Sequence, residues 1–151
     1  MTQSKKRALA SLFIGSGVLA GFAVVFFCRG GPEALVGDKG RILVSAVLFA
    51  AGFAGQLVVF YLTRVRPGDR AMQRDERDDW IARRANGAAL VAALVYVFLV
   101  CIVLWEVYHD RQHVPVGWMW FLAYTSGFFA MFSHAVASLV LDAGVSGRAE
   151  G

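Results

Sequence analysis

Four long apolar runs alternate with short polar ones along the chain, at residues 8–28, 42–62, 87–108 and 116–141. Each is close to the roughly 20 residues a helix needs to cross about 30 Å of hydrocarbon, where only a helix satisfies its own backbone hydrogen bonds without water. The pattern predicts four transmembrane helices in an all-α polytopic membrane protein, with residues 1–151 forming a single integral membrane domain. A transmembrane β-barrel would need segments of about ten residues in strict alternation, and the chain has none. The longest polar interruption, residues 63–86, becomes the loop between two helix pairs.

That loop is where the pattern changes most abruptly. Arg66, Pro67, Gly68, Asp69 and Arg70 read as a turn that ends the second span, with Asp69 placed to cap the third helix. From there to Tyr108 only Gly87 weakens a helix, so the third helix is expected to begin well before the membrane and to carry a charged extension. Arg74 with Asp78 and Asp79 with Arg83 are opposite charges four residues apart, each pair contributing about 0.2–0.5 kcal/mol to a solvated helix. Trp80 and Ile81, followed by Arg83 and Arg84, suit a boundary where an indole meets headgroups and arginines meet anionic lipid. Asp75, Asp78 and Asp79 share one helical face. Such a face can be a solvated helix start, a grip for a basic protein surface, or oxygen ligands for a divalent cation.

Composition and charge set the orientation. The chain is 58% hydrophobic and 17% charged, with a net charge of +4 and a mean hydropathy of +0.56. Of its 15 Lys and Arg residues, eleven lie in the N-terminus, the middle loop or the C-terminus: Lys5, Lys6, Arg7, Arg64, Arg66, Arg70, Arg74, Arg77, Arg83, Arg84 and Arg148. Arg29, Lys39, Arg41 and Arg111 lie on the other side. Basic residues near span ends stay cytoplasmic, so both termini and the middle loop are expected on the cytoplasmic side of the cell membrane. Trp105, Tyr108, Trp118, Trp120 and Tyr124 then gather at the outer interface. The topology rule accounts for the positive charge without nucleic acid as a partner. Lys5, Lys6 and Arg7 before an apolar run also fit a signal peptide, but the run is long for one and Phe27 is bulky where a small residue would precede Cys28, so the segment is expected to be retained.

Residues 75–90, DERDDWIARRANGAAL, resemble the D-E-R-D-x-x-I-x-x-x-A pattern of a family of small bacterial and archaeal membrane proteins of unestablished function. Asp75, Glu76, Arg77, Asp78, Ile81 and Ala85 carry the likeness; outside them only hydropathy and order correspond. Those proteins hold the pattern between a first and a second transmembrane pair, as here. The resemblance implies a four-helix membrane fold and brings no activity with it.

Three further groups are chemical candidates. Glu106, His109, Asp110 and His113 follow i, i+3, i+4, i+7, so a helix continuing past Tyr108 would put all four on one face. They could then hold Zn²⁺ or Cu²⁺, or the histidines could sense external pH. Gln56 and His134 are the polar side chains expected within the hydrocarbon, His134 with Thr125, Ser126 and Ser133 nearby on the same helix. Gln56 is expected to hydrogen-bond a neighbouring helix, while a helix–helix hydrogen bond and a proton relay are both open to His134. Small residues at four-residue spacing, Gly17 with Gly21 and Ala51 with Gly55 among them, favour close helix packing or self-association as a homo-oligomer. Cys28 and Cys101 lie at different depths and fit neither a disulfide nor a CxxC pair.

The function class that fits is a non-enzymatic accessory or regulatory membrane protein whose charged helix, through Asp75, Glu76, Arg77 and Asp78, docks a soluble cytoplasmic protein while lipid surrounds the spans. The alternative is a small oligomeric transporter or channel. Four-helix multidrug exporters depend on a buried carboxylate in the first span, and residues 8–27 contain none. No acid, base and nucleophile share one depth, so an enzyme is not expected, nor is a cofactor: there is no glycine-rich phosphate loop, and His109 and His134 lie toward opposite leaflets.

Overall fold

A computed structural model describes residues 3–28, 30–63 and 76–148. Four helices account for nearly all of them: α1 (Gln3–Phe27), α2 (Lys39–Leu62), α3 (Glu76–Tyr108) and α4 (Val116–Arg148). All four are long and apolar enough to cross a membrane, an arrangement consistent with a multi-pass membrane protein. α3 and α4 have 33 residues each. At 1.5 Å per residue that is about 50 Å, well beyond the hydrocarbon alone.

The ends of the helices follow from local chemistry. α1 stops before Gly30 and Gly31, whose φ values of +90° and +75° lie in the left-handed region that glycine tolerates. A short 3₁₀ turn, Pro32–Ala34, follows. Asp38 then caps α2, its Oδ1 accepting from the Arg41 backbone N–H at 3.1 Å. α3 gives way at His109–Arg111 to a 3₁₀ turn closed by Gln112 with φ +55°. Pro115 stands immediately before α4.

The principal contacts run from α2 to α1, α1 to α4, and α4 to α3. Two different seams result. Between α1 and α4 the core is aromatic: Phe22, Phe26 and Phe128 are buried with Val18 and Leu35. The Phe22 ring stacks on Tyr124 at 5.4 Å and Phe26 meets Phe121 edge-on at 5.2 Å. Such pairs add about 0.5–1.5 kcal/mol each beyond the area they bury. Between α3 and α4 the small Ala85 and Ala89 are buried on α3 with the larger Ile81, Leu104 and Tyr108, and the Tyr96 ring stacks on Phe129 at 4.5 Å.

Of the glycine steps read from the sequence, Gly21 packs on Leu48, while at Gly17 an added β-carbon would meet nothing within 4 Å. The tightest approach on α2 is at Gly52, where a β-carbon would lie 2.6 Å from Val18 Cγ2 and 2.8 Å from the Phe128 ring. The outward faces of α2 and α3, with Leu43, Val47, Leu57, Leu94, Phe98 and Ile102, are exposed and apolar, which lipid tails match.

Candidate functional site

At one end of the bundle, a single carboxylate joins three helices. Asp142, near the end of α4, lies with Oδ1 3.1 Å from Arg77 Nη2 at the start of α3. The same guanidinium nitrogen donates to the Asp142 backbone oxygen at 3.3 Å. Lys5 Nζ, at the start of α1, is 3.8 Å from Asp142 Oδ2. The Asp142 side chain is 18% exposed, against 39% for Arg77 and 44% for Lys5. Pairs this open to solvent contribute on the order of 0.2–1 kcal/mol. They orient α3 more than they stabilise it.

The charged start of α3 is therefore divided. Arg77 turns to Asp142, while Asp78 and Asp79 are partly buried and Trp80 is exposed. The Arg84 guanidinium sits over the Trp80 ring at 4.8 Å, and Arg83 Nε donates to the Asp79 backbone oxygen at 3.3 Å. Glu76 opens the helix; its side chain lies outside the described residues, as do Asp69, Arg74 and Asp75. The three-carboxylate face and the pairing of Arg74 with Asp78 lie outside the described residues with them. On α1 the Arg7 guanidinium covers the Phe60 ring of α2 at 4.7 Å.

Within the spans, polar side chains join neighbouring helices. Gln56 Nε2 on α2 donates to the Ser11 carbonyl of α1 at 3.3 Å. The Tyr96 and Thr125 hydroxyls lie 2.7 Å apart, and Thr125 Oγ1 also donates to the Phe121 carbonyl at 2.7 Å. His134 is partly buried on α4, next to the fully buried Ala135.

The opposite end is built differently. The 3₁₀ turn after Tyr108 breaks the continuous helix on which the spacing of Glu106, His109, Asp110 and His113 depended. Instead His109 Nε2 pairs with Asp110 Oδ1 at 2.9 Å, its Nδ1 lies 3.1 Å from the Glu106 carbonyl oxygen, and His113 Nδ1 lies 2.7 Å from the Arg111 carbonyl oxygen. All four residues are exposed. Among the described residues, no three His, Cys, Asp or Glu side chains form a group able to hold a metal ion.

Two hydrogen-bonded locks close this end. Arg41, only 7% exposed, donates from Nη2 to the Val25, Phe26 and Gly31 carbonyls at 2.7, 3.0 and 3.2 Å, and from Nε to Val25 at 3.1 Å. Val25 and Phe26 lie in the last turn of α1, whose carbonyls have no partner within the helix. A cation at a helix C-terminus is also favoured by the macrodipole. In the second lock, Trp118 Nε1 donates to the Tyr108 hydroxyl at 2.9 Å, and that hydroxyl donates to Glu33 Oε1. Gly117 allows it, since a β-carbon there would lie 1.7 Å from the Pro32 carbonyl oxygen.

From the sequence Arg41 counts only as a topological charge, and Glu33, Tyr96 and Asp142 do not stand out as sites. One signal was available. Lys39 and Arg41 follow the Asp38 cap in the first turn of α2, where basic charge opposes the helix's own dipole and calls for a partner elsewhere.

The four spans, their apolar outer faces and their tied polar groups fit the class of multi-pass membrane proteins. No family model, curated protein or solved structure matches the chain.

Proposed function

We propose that the chain is a non-enzymatic accessory or regulatory protein of the cytoplasmic membrane, with both termini in the cytoplasm. The charged first turns of α3 form its contact with a soluble protein partner. The observation that carries this reading is that these turns and the third span are one 33-residue helix. At about 50 Å it exceeds the hydrocarbon by about 20 Å, enough to hold Glu76 through Arg84 clear of the lipid tails. Arg77, tied to Asp142, sets the orientation of those turns, and Trp80 and Arg83 are exposed beside it. The likeness of residues 75–90 to the charged pattern of other small membrane proteins belongs to the same proposal. The bonds of Gln56 to Ser11 and of Tyr96 to Thr125 favour this reading over a small transporter or channel, because polar groups that would line a pathway join helices instead.

The test is photocrosslinking in native membranes from a photoreactive residue replacing Asp78, followed by mass spectrometry. A reproducible soluble partner is expected, lost when Asp75 and Glu76 are neutralised. Capture of lipid or of the chain alone would set the reading aside in favour of an autonomous oligomer.

A further inference from the structure

Beside the charged start of α3, a groove of about 560 Å³ opens between α3 and α4. Arg84, Ala88 and Ala92 form one wall at four-residue spacing, a single row about 12 Å long. Val136, Ala137 and Val140 of α4 form the facing wall. The alanines leave a trough where larger side chains would close the seam. Among the lining residues Arg84 is the only charged one, and it stands at one end of the row. Its guanidinium lies over the exposed Trp80 ring at 4.8 Å, and an indole settles at headgroup depth.

An apolar trough of hydrocarbon scale ending in one guanidinium at headgroup depth has the charge pattern of a phospholipid in reverse. We propose that this groove holds one anionic phospholipid, its phosphate against Arg84 and an acyl chain between the helices. Arginine suits that role because its planar fork gives charge-assisted hydrogen bonds to phosphate oxygens. A zwitterionic lipid carries the same phosphate but adds a cation beside Arg84, so the site prefers net negative headgroups. An occupied groove also braces the first turns of α3 against α4, beside the Arg77 contact to Asp142.

Native mass spectrometry of the full chain, released from nanodiscs of mixed phosphatidylglycerol and phosphatidylcholine, tests the site. One phosphatidylglycerol is expected to stay bound at energies that strip phosphatidylcholine. Arg84→Gln should weaken its retention about tenfold, and Ala137→Phe, which fills the trough, should abolish it. Equal retention of both lipids, no effect of Arg84→Gln, or a lipid-free dimer in place of the lipid adduct would overturn the proposal. Should a variant fail to fold, the wild-type chain decides through phosphatidylglycerol bearing a photoreactive acyl chain. Labels concentrated at Ala88, Ala92, Val136 and Ala137 support the site, and labels spread evenly over the outward faces of α2 and α3 overturn it.

Discussion

The two ends of the bundle use polar groups in opposite ways. At the loop end Arg41 is buried and gives its guanidinium to three backbone carbonyls, and the Trp118, Tyr108 and Glu33 chain joins α4, α3 and the first loop. At the termini end a partly exposed carboxylate serves two long, flexible cations, beside an open groove. Buried donors with fixed acceptors are costly to remove, whereas exposed ion pairs exchange readily with water. The loop end thus sets the fold, and the termini end is left adjustable.

Substitutions can break this contrast, and the largest loss is expected at the loop end. Arg41→Met keeps an unbranched apolar stem but strands the Val25 and Phe26 carbonyls, and should cost about 3 kcal/mol in reversible unfolding in detergent. Gly117→Ala follows, because the Pro32 carbonyl leaves no room for a β-carbon. A loss of about 2–3 kcal/mol is expected for that overpacking, seen as a lowered thermal midpoint. Tyr108→Phe removes one donor and one acceptor while keeping the ring, and about 1 kcal/mol should be lost in the same assay. Asp142→Asn is expected to change stability least, by under about 1 kcal/mol. An equal or larger loss for Asp142→Asn than for Arg41→Met would erase the distinction between the ends.

The four helices were legible because hydrophobic runs of membrane length leave a helix little competition. Observed boundaries extend the apolar runs outward, most clearly at α3, which starts at Glu76 rather than at the membrane edge, as its charged extension implied. The polar contacts between elements were much less legible. Arg41 looks like any basic loop residue until α1 is known to end against it, and Asp142 looks like a tail charge until Lys5 and Arg77 are brought beside it. The spacing of Glu106 to His113 put the four on one face only on a continuing helix, which the turn after Tyr108 ends. Gln56 was legible as a helix-joining group, but its acceptor, the Ser11 carbonyl, carries no mark in the sequence.

The most direct test of the contrast is pulsed electron paramagnetic resonance on the chain in nanodiscs, with Cys28 and Cys101 replaced by Ser. One spin-label pair at Val36 and Val114 spans the loop end, and another at Arg83 and Ala143 spans the termini end; all four positions are exposed. A narrow distance distribution is expected at the loop end, unchanged by Asp142→Asn, with a broader one at the termini end that widens further in that variant. Equal widths at both ends, or a termini end indifferent to Asp142→Asn, would contradict a fixed end and an adjustable one.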